Sequence, residues 1–296
     1  MNTRILLLCK SLPASTQTDA LIFLMKYSKL TFLDEFDFLR IYYAPAWSII
    51  YWLVQSQTNA TNLAPEDINS AMTAHCMAML LHPLDDHLND GEIPATHLNL
   101  LLRSQAWMTM ITAFGRLADG VAVGDKLVRR YLDDYYSSIR SAESTGSLQS
   151  YCELFRKQMA TWLISPVLLA KKKNLSEEFA VEIESAYASF GVAWRLLDDI
   201  VDIEADLTNC SRSAVYAGLP ESMQHLWLRP PGEDFGDRRA KILQSVMETR
   251  IVDQIIAVIC AELESAAIGA DNCGMKGLGD EYRGLALPLR SKQVSR

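Results

Sequence analysis

The chain has 296 residues, 49% of them apolar, with a formal net charge of −8 and an isoelectric point near 5.2. That is enough apolar material for a closed core, and the acidic balance gives no long-range attraction to nucleic acid or anionic lipid. No stretch approaches the roughly 18 uninterrupted apolar residues of a membrane span, and the cysteines form neither a Cys-x-x-Cys pair nor a zinc-like Cys/His spacing. The apolar run ending at Cys9 is too short for a signal-peptide core. The expectation is a cytoplasmic protein with reduced thiols and no nucleic-acid partner.

In chain order, apolar residues recur at three and four positions, and no β-branched alternation stands out. The pattern predicts helices at 16–34, 37–57, 66–90, 96–118, 122–141, 148–172, 176–208, 236–268 and 278–287. Pro65-Glu66-Asp67 suits a helix start, with an early proline and acids at its positive end. Pro83 lies inside that helix and should kink it, and Gly91 and Pro94 end it. Thr145-Gly146-Ser147 separates two later helices, and Arg229-Pro230-Pro231-Gly232 reads as a surface loop. With no repeat and no Gly/Pro/Ser-rich linker, the simplest organisation is all-α, one domain over 1–296. Such a helical bundle places a ligand cavity between facing helices.

Two acidic clusters interrupt these apolar helices. The first is Asp85-Asp86-His87-Leu88-Asn89-Asp90, at a helix C-terminus. The second is Asp198-Asp199-Ile200-Val201-Asp202, continuing to Glu204 and Asp206. Residues four apart stack oxygen ligands one helical turn, about 5.4 Å, above one another. Carboxylates at a helix C-terminus oppose the macrodipole, and buried carboxylates without partners cost several kcal/mol, so both clusters call for a cation. A solvated helix face is the plainer reading of any single Asp pair; Asp133-Asp134, beside Arg129 and Arg130, fits it. Two such clusters in apolar settings do not.

An EF-hand is set aside because Leu88 occupies a ligand position and His97 stands where the bidentate Glu belongs. A di-iron bundle needs Glu-x-x-His pairs that the chain lacks. No His-Glu-x-x-His, phosphate-loop or Gly-x-Ser-x-Gly string is present. Hard oxygen donors with one histidine point to Mg²⁺, which bridges a few carboxylates to substrate phosphates. Two carboxylate banks facing one another across a bundle would hold metals around a diphosphate.

The stretch Gly191-Val192-Ala193-Trp194-Arg195-Leu196-Leu197-Asp198-Asp199-Ile200-Val201-Asp202 resembles the second aspartate-rich motif of trans-prenyl diphosphate synthases, Gly-x-x-Phe/Tyr-Gln-x-x-Asp-Asp-x-x-Asp. Asp85, Asp86 and Asp90 resemble a first such motif, and Lys157 sits where that family often has a diphosphate-binding lysine. The resemblance covers roughly residues 70–220. It implies the all-α class I isoprenoid synthase fold, with Asp85, Asp86, Asp90, Asp198, Asp199 and Asp202 as ligands to Mg²⁺, three ions in that family. It implies Lys157 on the diphosphate. A homodimer is common in the family.

The departures from the pattern are specific. Residues 1–70 hold no Gly-Gly-Lys-Arg-like segment. The first motif is followed by Gly91-Glu92-Ile93-Pro94-Ala95-Thr96-His97 with no arginine before Arg103. Arg195 replaces the usual Gln, and Ser211-Arg212-Ser213 replaces a Gly-Lys-x-Thr-like loop. One diphosphate site without a second describes a class I terpene synthase, which ionises one allylic prenyl diphosphate and then cyclises or eliminates. The alternatives are a trans-prenyl diphosphate synthase condensing an allylic diphosphate with isopentenyl diphosphate, a squalene-synthase-like enzyme, and a non-catalytic partner subunit of a prenyl synthase. Candidate donors to the diphosphate are Arg212 and Lys157 first, then Arg195, Arg103 and Arg116. Trp194, Phe190, Trp107, Phe114 and Trp162 are the aromatic faces that could shield an allylic cation, although aromatics at helical spacing are usually core. Tyr282-Arg283 is a reversed form of the late Arg-Tyr pair with which terpene synthases often close their site.

Overall fold

A computed structural model describes residues 1–31, 33–56, 63–140, 146–173 and 176–294. Among them there is no strand, and fifteen α-helices follow one another. These are α1 (Asn2–Ser11), α2 (Ala14–Tyr27), α3 (Pro45–Gln55), α4 (Pro65–Asn89), α5 (His97–Ala118), α6 (Gly124–Arg140), α7 (Leu148–Gln158) and α8 (Ala160–Lys172). They continue as α9 (Glu177–Val201), α10 (Ile203–Asn209), α11 (Ala214–Gly218), α12 (Glu221–Trp227), α13 (Phe235–Glu248), α14 (Ile251–Asn272) and α15 (Lys276–Val294). The all-α reading of the sequence holds. The helices group into two compact units. One comprises Met1–Tyr131, Thr161–Glu184 and Cys273–Leu278; the other comprises Leu132–Ala160, Ser185–Asn272 and Gly279–Arg296.

Several expected helices are shorter or divided. The helix expected at 16–34 is α2 and stops at Tyr27, where Lys29 turns left-handed with φ 55°. Ahead of it, α1 was not expected at all. The span 37–57 divides because Pro45, which cannot donate within a helix, opens α3 after a separate 3-10 turn at Phe38–Ile41; its residue 57 lies outside the described residues. The span 148–172 breaks at Met159, the cap of α7, whose side chain sits against Gly191: a Cβ there would meet the Met159 Cε at 2.5 Å. Asp202 separates α9 from α10, and the left-handed Arg250 separates α13 from α14. The short helices α11 and α12 carry too few turns to show a period.

In the first unit, α4 is the central element, with an unbroken buried run from Ala74 to Leu81. Pro83 is accommodated within it rather than ending it. The missing Pro83 amide leaves the Met79 carbonyl without its helical donor, and the buried Tyr42 hydroxyl supplies one at 2.6 Å. The Trp162 indole donates to the neighbouring Ala78 carbonyl at 3.2 Å. Pro166 in α8 likewise leaves the Trp162 carbonyl without its helical donor, and His75 lies against that carbonyl. Trp162, fully buried, is thus a core residue, ringed by Tyr42, His75 and His82.

Lys173, just past α8, is buried and donates to the Leu53 carbonyl (3.0 Å), the Ser56 carbonyl (2.6 Å) and the Ser56 hydroxyl (2.9 Å). The ammonium therefore caps the C-terminus of α3, where carbonyls lack donors and the dipole is negative. In the second unit the core is built from Tyr187, Phe190 and Tyr282, all fully buried, with ring centroids 5.8 and 5.4 Å apart in turn.

Two outcomes follow for stability. Lys173→Met should lower unfolding free energy by about 2–4 kcal/mol in urea titration, because three oxygens at the end of α3 lose a charged donor. His75, fully buried, donates from Nε2 to the Ala46 carbonyl at 2.7 Å, and burial holds its pKa down at about 4. That lies below the ordinary 6.5, so its contribution is intact above pH 6.5 and is lost as pH falls toward 4, by up to about 3 kcal/mol. His75→Asn should flatten the stability–pH curve in that window.

Candidate active site

The first acidic bank closes α4 in the first unit. Leu84 is fully buried and directs the next turn outward, so that Asp86 and Asp90 are exposed one turn apart. The turn is intact, since the Asp90 amide donates to the Asp86 carbonyl at 2.9 Å. Asp85 has a different setting. Its side chain is 17% exposed and receives a fork from Arg103 of α5, Nε to Oδ1 at 2.8 Å and Nη2 to Oδ2 at 2.9 Å. The Arg103 guanidinium lies 5.3 Å from the centroid of the half-buried Trp107 ring. Asp85 and Arg103, expected as a metal ligand and a diphosphate donor, are thus placed against one another.

His87, inside the same motif, faces Tyr27 of α2 at 2.8 Å from Nδ1. Burial first, then the charges of Asp86 and Glu92, push the Tyr27 phenol far above its ordinary value. The phenol therefore stays protonated, and the other ring nitrogen of His87, Nε2, lies 3.5 Å from Glu92. Neither Tyr27 nor Glu92 carries a sequence signal of its own, because α2 meets α4 through tertiary packing.

The second bank lies in the second unit, where α9 ends and α10 begins. Asp198 is half exposed (49% of its side chain) and Asp202 is exposed, with the Asp202 amide donating to the Asp198 carbonyl at 3.0 Å. Asp199 is 1% exposed. One of its oxygens takes the Arg195 Nε at 3.0 Å, and the other accepts from the Ala214 amide, at the start of α11, at 2.7 Å. The same Arg195 Nε donates to the Tyr151 hydroxyl at 2.9 Å, and the Arg195 guanidinium lies 5.9 Å from the Phe155 centroid. Tyr151, on α7, is held protonated: burial raises its pKa more than the Arg195 charge lowers it. Asp206 on α10 is the further acid here. Burial first and then the Asp199 charge raise it to about 7, against a smaller lowering by Arg195.

The remaining expected residues are spread between the two units. Lys157 is exposed in the last turn of α7, where a basic side chain suits the negative helix end. Arg212 is half-buried between α10 and α11, after the left-handed Cys210 that ends α10. Arg116 is exposed at the end of α5. Phe114 and Phe190 are fully buried, and Trp194 is half-buried with its ring 6.3 Å from Phe155. Tyr282 is wholly buried against Phe190, and Arg283 pairs with Asp271.

Among the described residues, no three His, Cys, Asp or Glu side chains come together as a closed metal cage. Each bank instead offers an exposed pair of hard carboxylates on adjacent turns. That donor set suits Mg²⁺, which takes one or two carboxylates and completes its octahedron with water and phosphate oxygens.

Among the described residues, no helix is long and apolar enough to cross a membrane. No family profile matches the chain, and no curated protein matches it by sequence. Solved structures do. A polyprenyl synthetase from Streptomyces coelicolor A3(2) superposes with a TM-score of 0.67 at 15% identity, covering 95% of each chain. A medium/long-chain length prenyl pyrophosphate synthase from Arabidopsis gives 0.65 at 13% identity, over 93% of this chain and 97% of that one. A geranylgeranyl pyrophosphate synthase from Corynebacterium glutamicum, complexed with isoprenyl diphosphate and magnesium, gives 0.60 at 12% identity, over 95% and 96%. The chain has the class I isoprenoid synthase fold.

Proposed function

We propose that the chain is a metal-dependent enzyme that ionises an allylic prenyl diphosphate, acting as a single domain with both acidic banks required for the one reaction. The observation that carries this is the pair of exposed aspartates at i and i+4 in each bank, Asp86 with Asp90 and Asp198 with Asp202, on this fold. Bound Mg²⁺ would neutralise the diphosphate and stabilise it as it leaves. Each exposed pair would hold metal through its own carboxylate oxygens. Lys157 and Arg212 would donate to diphosphate oxygens as negative charge builds on them. Trp194, half-buried close to the second bank in sequence, would present a ring face to the cation left behind.

For the fate of that cation, condensation with a second, homoallylic diphosphate is the reading that the superposed structures favour, since they are described as a polyprenyl synthetase and as prenyl and geranylgeranyl pyrophosphate synthases. A terpene synthase acting on one diphosphate is the second reading. It is favoured by the absence of basic residues from Gly91 to Ala95 and of a Gly-Lys-x-Thr-like loop at Ser211–Ser213, where condensing enzymes hold or close over diphosphate.

The test is incubation of the purified chain with Mg²⁺ and geranyl, farnesyl or geranylgeranyl diphosphate, each with and without isopentenyl diphosphate. Longer diphosphates formed only with isopentenyl diphosphate are the expected result, and hydrocarbons released from a single diphosphate would establish the second reading. Asp86→Ala and Asp198→Ala should each reduce turnover by about a hundredfold or more. No turnover under any condition would defeat both readings and leave the non-catalytic subunit.

A further inference from the structure

In each bank one member of the Asp-Asp pair is drawn back from solvent, 17% exposed in the first and 1% in the second. In the first bank it is Asp85, forked by Arg103; in the second it is Asp199, between Arg195 and the Ala214 amide. In both, the arginine lies over an aromatic ring, Trp107 or Phe155. In both, the two exposed acids that remain are one helical turn apart. The same division thus occurs twice, in two sequence contexts that share no motif around the arginine.

We propose that each bank is divided into a ligand pair and a clamped positioning acid, and that Arg195, Tyr151 and Asp199 form a positioning triad rather than a metal ligand and a diphosphate contact. This assignment rests on the metal-binding reading above and narrows it. A metal bound at about 2.1 Å needs a carboxylate oxygen with an open lone pair facing the ion. Asp199 has 1% of its side chain exposed, with one oxygen ion-paired to Arg195 at 3.0 Å and the other accepting from the Ala214 amide at 2.7 Å. An arginine that grips a diphosphate does so with its Nε–Nη edge. On Arg195 the Nε is shared between Tyr151 and Asp199, and Nη1 lies 3.7 Å from Asp198.

The arrangement has an electrostatic consequence. Arg195 lies closer to Asp199 (3.0 Å) than to Asp198 (3.7 Å) and offsets chiefly the Asp199 charge, so Asp198 and Asp202 set most of the attraction for a dication. Uncovering either partner should then move metal affinity in opposite directions. Arg195→Gln leaves an uncompensated carboxylate beside Asp198 and should tighten metal binding. Asp199→Asn leaves an uncompensated guanidinium there and should weaken it. A ligand and an anion contact would not cancel in this way.

The experiment measures Mn²⁺ binding by electron paramagnetic resonance, with and without inorganic pyrophosphate, and thermal unfolding in EDTA. Wild type should bind Mn²⁺, and Asp198→Asn should weaken that binding about tenfold or more with little change in unfolding temperature. Arg195→Gln should bind Mn²⁺ alone about fivefold more tightly and Asp199→Asn about fivefold more weakly, both unfolding several degrees lower. The double variant Arg195→Gln/Asp199→Asn should return to wild-type affinity, with and without pyrophosphate, and regain most of the lost stability. A double variant as defective in Mn²⁺ binding as Asp198→Asn would make Asp199 a ligand, and loss of only the pyrophosphate-dependent binding would make Arg195 an anion contact; either overturns the assignment. Should the double variant not fold, Asp85→Asn/Arg103→Gln against Asp86→Asn applies the same criteria to the first bank. Failure of wild type to bind Mn²⁺ under any condition would instead remove the metal reading itself, and this assignment with it.

Discussion

A carboxylate taken out of water must be met by a positive charge, by hydrogen-bond donors or by a proton, and the second acidic bank uses all three. Asp199, which has almost no exposed surface, is met by Arg195 and by the Ala214 amide. Asp206, partly buried near that charge, has its pKa raised to about 7. Tyr151 stays protonated within the same network. Breaking a buried pair by removing one partner costs about 3–5 kcal/mol, whereas replacing both partners by neutral groups is often nearly neutral. The Ala214 contact also ties the start of α11 to the end of α9. The loop that carries Arg212 is therefore anchored at its α11 end by Asp199.

The first bank depends on a different constraint, the proline inside α4. A helix that lost Met79 as an acceptor without compensation would carry a buried orphan carbonyl, at a cost of about 1–3 kcal/mol. Tyr42 and Trp162 donate to the carbonyls of Met79 and Ala78, so α4 runs on past Pro83 for six more residues, to Asn89. Those residues bring Asp85 within reach of Arg103 and leave Asp86 and Asp90 on the exposed side. Without these side-chain donors the helix would have reason to stop before its acidic turn.

What the sequence made legible follows from what is local. Helical periodicity gave the all-α class, and α4, α5 and α6 lie within two residues of their expected bounds because caps and breakers flank them: Thr96, for example, accepts from the Asn99 amide at the start of α5. The i, i+4 spacing marked Asp86 with Asp90 and Asp198 with Asp202 as shared faces, and both pairs are exposed. The clamps were not legible. Arg103 lies 18 positions from Asp85, and Tyr151 lies 44 from Arg195, so only packing reveals them. The internal divisions at Met159, Asp202 and Arg250 were missed for a related reason. At Met159 the break goes with the close approach to Gly191 and at Arg250 with a left-handed residue, not with Gly or Pro in the sequence.

Arg195 shows how a departure from a motif can conserve its physics. Where the resembling family has a neutral glutamine, this chain has a cation, one helical turn before a buried acid. A glutamine could donate a hydrogen bond to Asp199, but the buried carboxylate would remain a net charge added to two exposed ones. The arginine cancels it locally, and Phe155 and Tyr151 supply the ring face and the hydroxyl that a buried guanidinium requires. The substitution therefore changes the charge of the bank without displacing its exposed pair. The fold is shared with the superposed synthases at 12–15% identity. Helix packing requires apolar faces of the right period, and the acid turns require only that every withheld carboxylate be answered, by whichever residue the packing brings near.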